Sequence, residues 1–140
     1  MAQSINEIQN EIIDEFTLLE GDSEMTSFYI MELGEKLPPL DESLKTDAYA
    51  VKGCQSKVWL VPEKKDDRLA FVADSNSAIT KGLVSLLVRI FGEQKAEDIL
   101  DAELYFIDKI GMNRFIGTQR SNGFAAMIKQ IKRFAMMSSK

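Results

Sequence analysis

The spacing of apolar residues predicts a helix over the first twenty residues. Apolar side chains recur there at steps of three and four, which places them on one helical face: Ile5, Ile8, Ile12, Phe16 and Leu19. Ser4 and Glu7 have the spacing of a capping box, in which each side chain bonds a free backbone N–H of the other residue. We therefore expect the helix to begin after Ser4 and to end at Gly21.

A second predicted helix follows, with Asp22 or Ser23 as its N-cap and Gly34 at its end. Its buried face is expected to comprise the apolar residues Met25, Phe28, Met31 and Leu33. Pro38 and Pro39 then prevent a continued helix, because proline has no backbone N–H to donate.

The period of the pattern changes to two after residue 48, which is typical of β-strands. Three short runs with strand-forming residues are predicted strands, at 49–51, 58–61 and 69–72. The polar stretch 62–68 between the second and third runs is expected to be a loop. Short connections between successive strands favour an antiparallel sheet.

Helical spacing returns in the second half of the chain, at Ile79, Leu83, Leu86, Leu87 and Ile90. We expect this helix to be capped by Ser75 or Asn76 and to end at Gly92. A short helix is predicted over 96–100, and a further helix or a turn over 104–110.

The last predicted helix begins after Thr118 or Ser121, and its inner face comprises Phe124, Met127, Ile128, Ile131 and Phe134. Helices thus occupy both ends of the chain and strands occupy its middle. That order predicts an α+β fold in which a small three-stranded antiparallel sheet packs against several helices. The 140 residues are expected to form one domain, 1–140, because a chain of this length buries enough surface for a single core.

The composition excludes several kinds of chemistry. The chain has no histidine, so a histidine base, a His-containing triad and a histidine metal site are excluded. The single cysteine, Cys54, excludes an internal disulfide and any zinc or iron–sulfur site held by several thiolates. Carboxylate catalysis is disfavoured, because the acidic pairs 66–67 and 97–98 lie in polar stretches rather than in apolar surroundings. One-thiol chemistry and a purely binding role remain.

The net charge of −5 argues against a general nucleic-acid-binding protein. The charge is uneven, since residues 109–140 carry seven basic residues and no acidic one, and we expect a solvated helix face there. The sequence shows neither a secretory signal nor an apolar run of membrane-spanning length, and the stretch 83–91 is interrupted by Ser85 and Arg89. Together with the unpaired cysteine, this favours a cytoplasmic protein.

Cys54 is the residue best suited to chemistry. It follows Gly53, whose freedom to adopt positive φ predicts a turn that lifts the thiol to a loop tip. Lys52 and Lys57 flank it, and nearby cations lower the pKa of a thiol. The alternative is a structural cysteine that packs as a small apolar residue. Without a histidine base, a reactive Cys54 suits thiol exchange better than acyl transfer.

The cysteine loop and three other segments resemble the SufE family, the sulfur acceptors of SufS-type cysteine desulfurases. The most specific part is Gly-Cys-x-Ser-x-Val-Trp at 53–59, within a similar stretch over 48–60. Arg-Ser-x-Gly at 120–123 is similar to the start of the family's last helix, and the segments 29–38 and 74–83 also match in order. The resemblance covers nearly the whole chain.

The resemblance implies a persulfide relay in iron–sulfur cluster assembly. A SufS-type desulfurase, using its own pyridoxal phosphate, holds sulfur as a persulfide, and the Cys54 thiolate takes the outer sulfur and passes it to an iron–sulfur scaffold complex. The chain itself would bind no cofactor. It would be a sulfurtransferase-like accessory protein and activator, not a desulfurase, with a SufE fold similar to that of IscU-type scaffolds.

The same resemblance sets further expectations about partners and about the state of the thiol. We expect neither nucleic acid nor membrane as a partner, and a monomer or a weak homodimer. The resting Cys54 is expected to be shielded by apolar neighbours and exposed on docking, because cellular thiols would reduce a stray persulfide.

The family pattern adds candidate residues around the cysteine. Arg120 corresponds to an arginine near the cysteine loop, where it would stabilise a thiolate or persulfide anion, contact a partner, or lie on the surface without a role. Asp74 also matches, and its place before a helix predicts an N-cap. Gly53 supports the loop, and Gln55 and Ser56 either bond the thiolate or close the turn.

Two departures from the family pattern concern partner binding. Gly117-Thr118 stands where a Ser-Pro pair is usual, so we expect a looser start of the last helix. Asn76-Ser77 replaces a more acidic Asp-Ala pair, which removes one charge beside the presumed docking surface. The rival hypothesis is an interaction module of the same fold that binds or regulates a desulfurase-like partner without carrying sulfur.

Overall fold

Helices surround a small sheet in the computed structural model, which describes residues 3–19 and 22–138. The three strands form one antiparallel sheet in the order β1-β2-β3, so the predicted α+β class is confirmed. In chain order the elements are α1 (Ile5–Thr17), α2 (Ser23–Glu35), a 3₁₀ turn (Glu42–Leu44), β1 (Val58–Lys65), β2 (Arg68–Ser75), α3 (Ala78–Phe91), β3 (Gln94–Lys95), α4 (Ala96–Asp101), α5 (Phe106–Lys109) and α6 (Met112–Ser138).

Helix α1 begins as predicted, at a capping box. Ser4 Oγ accepts the Glu7 N–H at 3.1 Å, and the Glu7 carboxylate accepts the Ser4 N–H at 3.0 Å. The predicted apolar face is buried along the helix, whereas Leu19 lies beyond the helix end. The predicted stop, Gly21, lies outside the described residues.

Helix α2 has a predicted cap but not the predicted buried face. Asp22 accepts the Met25 N–H at 2.9 Å. Met25 and Phe28 were expected in the core, yet they are 51% and 56% exposed. The buried side consists instead of Thr26, Ile30 and Gly34. The prediction is wrong for Met25 and Phe28, because the side of α2 that packs against α3 carries Ile30 and Gly34. The predicted Leu33 is partly buried against the core.

Helices α2 and α3 cross in direct backbone contact. A Cβ atom added at Gly34 would lie 2.6 Å from the backbone nitrogen of Gly82, and one added at Gly82 would overlap the carbonyl oxygen of Ile30. A side chain at either glycine would therefore force the helices apart. The crossing fixes the first turns of α3, which border the cysteine loop.

The sheet differs from the predicted one in two of its strands. The predicted strand 49–51 is reduced to an isolated bridge between Ala50 and Trp59. The third strand is β3, whose two residues pair with the start of β2. A two-residue strand has no measurable alternation of apolar and polar positions, so the pattern could not predict it.

Strands β1 and β2 also extend through the predicted loop 62–68. They form one long hairpin that turns at Asp66 and Asp67, where Asp66 adopts a φ of 56°. Pro62 is compatible with β1 because this strand lies at the edge of the sheet, where a missing N–H is tolerated. The charged end of the hairpin was mistaken for a loop because it projects into water and buries little apolar surface.

Helix α3 begins and ends close to the predicted positions. Its N-cap is Ser77 rather than Ser75 or Asn76, and Gly92 follows its last residue as predicted. The helix predicted over 96–100 is α4, and the segment 104–110 contains the single turn of α5.

Helix α6 begins at Met112, earlier than predicted, but it is interrupted at Gly117. This glycine has φ of 84° and ψ of 166°, a conformation that residues with a side chain rarely adopt. The second segment of α6 therefore begins at Thr118, one residue before the earlier of the two predicted starts. Its buried side includes Gly123, Phe124, Met127 and Ile131.

The core contains side chains from the sheet and from every helix packed on it. The largest fully buried side chains include Ile12, Leu60, Leu86, Phe91, Phe106 and Met127. Burying one such side chain contributes about 2 kcal/mol to the free energy of unfolding. No helix among the described residues is both long and apolar enough to cross a membrane.

Candidate functional site

Cys54 lies in a loop that is closed at its base by a backbone hydrogen bond. The Val51 N–H donates to the Val58 carbonyl oxygen at 2.8 Å, so residues 52–57 form the loop. Gly53 turns the chain with a φ of +94°, which favours glycine. The predicted strand before the loop, 49–51, is only the bridge at Ala50, so Cys54 lies between this bridge and β1 rather than between two strands.

The sulfur of Cys54 faces helix α6. The side chain is half-buried, and the thiol donates a hydrogen bond to the Gly123 carbonyl oxygen at 3.4 Å. A Cβ atom at position 123 would lie 3.2 Å from the sulfur, so the absence of a side chain there leaves the space that the sulfur occupies. The turn at Gly53 therefore brings the thiol onto α6 and not to an exposed loop tip.

Burial raises the pKa of the Cys54 thiol above its usual value. Lys52 and Lys57 were expected to lower this pKa, but both side chains are exposed, and water and salt screen exposed charges. That expectation is wrong because partial removal of the sulfur from water disfavours the thiolate more than these charges favour it. At neutral pH the resting Cys54 is a neutral thiol.

A cavity of about 370 Å³ opens beside the sulfur. Its walls come from the cysteine loop, α3 and α6. Part of the wall is apolar and consists of Leu83, Ile116 and Met127. The polar part consists of Gln55, Ser56, Thr80, Thr118, Gln119 and Arg120. The cavity therefore combines an apolar surface with a polar surface that carries one cation.

The break at Gly117 brings the first turn of the second α6 segment to this cavity. Thr118 and Arg120 belong to that turn and line the cavity together with Cys54. Arg120 is exposed, and its guanidinium donates to the Ile116 carbonyl oxygen at 3.4 Å. Because a helix start carries a partial positive charge, the turn and the guanidinium both favour an anion in the cavity.

Most of the chain matches one protein family. Residues 10–135 match the family described as SufE, the Fe-S metabolism associated domain. The chain belongs to the SufE family. An uncharacterised SufE-like protein of Rhizobium meliloti is 37% identical over 129 residues, which cover 88% of this chain and 91% of that protein. One of Rhizobium etli is 36% identical over 128 residues, which cover 88% and 86%.

The fold also matches a solved structure. The solution structure of a hypothetical protein from Thermus thermophilus superposes with a TM-score of 0.77 and covers 94% of this chain and 96% of that one. At 16% identity this likeness shows the fold alone. The SufE resemblance noted in the sequence is confirmed, and it places the chain in iron–sulfur metabolism.

In this SufE-family chain Asp74 forms ion pairs and does not cap α3. Its carboxylate lies 3.0 Å from the Lys45 ammonium and 3.4 Å from that of Lys81, while Ser77 serves as the N-cap. Lys45 also lies 5.5 Å from the centre of the Trp59 ring. Asp74 thus ties the segment before the cysteine loop to β2 and α3.

Asp74→Asn is expected to destabilise the fold in a pH-dependent way. Partial burial raises the pKa of Asp74, but hydrogen bonds from Lys45 and the Ser75 N–H and the charge of Lys81 outweigh burial and hold the pKa below its ordinary value. A carboxylate with a depressed pKa adds stability above its unfolded pKa of about 3.9, and this stability is lost as the pH falls through the folded pKa.

We therefore expect Asp74→Asn to lower the free energy of unfolding by about 1 kcal/mol at neutral pH, and by progressively less below about pH 4. Urea unfolding of both proteins across this pH range measures the difference. Asp67→Asn in the exposed hairpin turn is the control and should match the wild type. A loss that does not change with pH would contradict the role of the ion pairs.

The remaining loop residues of the SufE motif do not bond the sulfur in the described structure. Ser56 Oγ accepts a hydrogen bond from Thr80 Oγ1 at 3.5 Å, and Gln55 is exposed at the cavity. Neither Thr80 nor Gly123 was predicted to lie beside the sulfur. Glycine lowers helix stability, so a glycine inside an apolar helical pattern indicates a close packing contact at that position. This signal was present at Gly123.

The two departures from the SufE pattern both lie beside the cysteine loop. The expected looser start of the last helix takes the form of the break at Gly117. Asn76 exchanges two hydrogen bonds with Lys57, through its side-chain oxygen at 3.0 Å and its backbone N–H at 3.2 Å. The asparagine therefore fastens the end of the loop without adding a negative charge.

Gly123→Ala is expected to make the Cys54 thiol more reactive. The added methyl group would lie 3.2 Å from the sulfur, and the sulfur moves more easily than the helix backbone. Once displaced into water, the thiol has a lower pKa, so we expect alkylation by iodoacetamide to be roughly tenfold faster at neutral pH. Asn122→Ala, an exposed neighbour on α6, serves as the control. Equal rates in all three proteins would show that Gly123 does not hold the sulfur.

Proposed function

We propose that this SufE-family protein accepts sulfur on Cys54 from the persulfide of a cysteine desulfurase and passes it to an iron–sulfur scaffold. One observation carries the proposal: the chain's single cysteine lies on a closed loop, and its sulfur borders a cavity that Arg120 also lines. Membership of a family associated with Fe–S metabolism supports it.

Each transfer in this proposal is a thiol–persulfide exchange. The Cys54 thiolate attacks the outer sulfur of the donor persulfide, a new S–S bond forms to Cys54, and the donor cysteine leaves as a thiolate. An acceptor thiolate then attacks the outer sulfur carried by Cys54 in the same way, which regenerates the Cys54 thiolate. No net oxidation occurs, and the exchange suits a chain that has no histidine.

The surroundings of the sulfur favour a neutral thiol before transfer and an anionic persulfide after it. The hydrogen bond to the Gly123 carbonyl requires a protonated thiol, because a thiolate has no proton to donate. Attack therefore begins when the thiol leaves this carbonyl and gives its proton to solvent. The persulfide is anionic, and the Arg120 guanidinium on the same cavity would stabilise it.

The test is the intact mass of the protein after incubation with a SufS-type desulfurase, its pyridoxal phosphate and cysteine, without reductant. We expect a gain of one sulfur atom that is absent in Cys54→Ser, and its loss on addition of a thiol. The same mixture without cysteine is the control. No gain despite measurable binding to the desulfurase would overturn the proposal and favour an interaction module.

A further inference from the structure

The exposed charges nearest to Cys54 in the chain and around its cavity are all positive. Lys52 and Lys57 belong to the cysteine loop itself and are exposed, and Arg120 is an exposed residue of the cavity wall. Neither the loop, residues 52–57, nor the adjoining stretch 112–123 of α6 contains an acidic residue. The protein as a whole has a net charge of −5, so this cationic rim contrasts with the rest of the molecule.

The three cations of this rim form no ion pair within the described residues. Elsewhere several basic side chains are neutralised by carboxylates, as Arg89 is by Glu11 and Glu15. The acidic residue of the neighbouring β2 end, Asp74, is itself paired with two lysines. No carboxylate in the described part of the chain thus lies within ion-pair distance of a rim cation.

We infer that the cationic rim, Lys52, Lys57 and Arg120, docks on an acidic surface around the sulfur-donating cysteine of the desulfurase. The inference rests on the proposed function, because it assigns the charge of the surface from which Cys54 takes sulfur. The proposed function identifies the desulfurase as the occupant, and the unpaired cations of the rim assign an acidic charge to its docking surface. Opposite charges at a docking surface raise the association rate and fix the orientation of the partners.

The effect of a charge on docking depends on how far that charge lies from Cys54. At physiological salt, charges more than about 8 Å apart are largely screened from one another. The negative charge spread over the rest of the protein therefore acts weakly at the docking surface, while the two loop lysines act at contact. Mutation of charges at the rim of an interface mainly changes the association rate and its dependence on salt.

The test compares two double variants that carry the same change of net charge. Lys52→Glu with Lys57→Glu reverses the loop lysines, whereas Lys64→Glu with Lys65→Glu reverses two exposed lysines at the far end of β1. A strand of this length places the control residues about 20 Å from the loop. Binding of each protein to the SufS-type desulfurase is measured by calorimetry at low and at high salt.

We expect the loop variant to bind roughly tenfold more weakly than the wild type at low salt, and the difference to shrink at high salt. The hairpin control should bind like the wild type. Reaction of free Cys54 with neutral iodoacetamide should stay within about twofold in the loop variant, which shows that the thiol itself is intact.

Equal weakening by both double variants, or no weakening by the loop variant, would overturn the inference. So would a wild type that binds duplex DNA through these lysines and does not bind the desulfurase. A wild type that binds the desulfurase but gains no sulfur defeats the proposed function only. In that case the affinities of the two variants still decide the inference.

Discussion

Cys54→Ser is expected to abolish sulfur acceptance and to leave the fold intact. A serine hydroxyl cannot hold sulfur as a persulfide, and the chain has no second cysteine to replace Cys54. The hydroxyl can still donate to the Gly123 carbonyl, and the position is only half-buried. The free energy of unfolding should therefore change by less than about 1 kcal/mol. Intact mass after the desulfurase reaction and urea unfolding measure the two effects.

The same variant separates a sulfur carrier from an interaction module. A carrier without its thiol still binds the desulfurase but no longer increases the rate at which the enzyme consumes cysteine. An interaction module would keep its full effect on that rate after Cys54→Ser. Sulfur found on the serine variant, at any residue, would contradict the assignment of Cys54.

Gly82→Ala is expected to be the most destabilising single-methyl substitution at the α2–α3 crossing. In an exposed helix, alanine is more favourable than glycine by about 1 kcal/mol. Here the new Cβ would overlap the Ile30 carbonyl oxygen, so the two helices must move apart and lose the packing between them. We expect the free energy of unfolding to fall by at least about 3 kcal/mol, as measured by urea unfolding.

The control for this substitution is Asn122→Ala, which also improves helix propensity but at an exposed position of α6. It should leave stability unchanged or raise it slightly. If Gly82→Ala does not fold, Gly34→Ala tests the same crossing, because its Cβ would lie 2.6 Å from the Gly82 nitrogen. A gain in stability from either glycine substitution would show that the helices do not touch as described.

Local signals in the sequence predicted much of the helical structure. The Ser4–Glu7 capping box, the Asp22 cap and the Gly92 stop depend on residues within one or two turns, and the structure contains all three. The start of the last helical segment belongs to the same group, since it lies within one residue of the predicted start after Thr118. Such features are readable because the groups that form them are close in sequence.

The predictions that the structure contradicts concern contacts between residues that are distant in sequence. Phe28 is exposed on α2 because Gly34 faces Gly82, and no pattern within α2 reveals where α3 will pack. The charged residues at the end of β1 extend the hairpin because β2 pairs with them, although their composition is typical of a loop. Pairing between segments can override the preferences of either segment alone.

The candidate site also combines features that the local sequence predicts with features that depend on distant residues. Cys54 and Gly53 were found from the loop sequence, and the family resemblance added Arg120, which lines the same cavity. The position of Gly123 against the sulfur could not be predicted, because 69 residues separate it from Cys54 along the chain. Burial of the sulfur raises the thiol pKa, so the flanking lysines gave the wrong direction.

The closed base of the cysteine loop limits how far the sulfur can travel. Val51 and Val58 stay joined by their hydrogen bond, and Cys54 is the third residue after Val51. An extended chain spans about 3.5 Å per residue, so the Cα of Cys54 reaches no further than about 10 Å from its anchor. This tether can enter a shallow active site of a partner. If the partner holds its persulfide deeper than the loop and the Cys54 side chain can reach, Cys54 cannot contact it. The hydrogen bond between Val51 and Val58 would then have to break first.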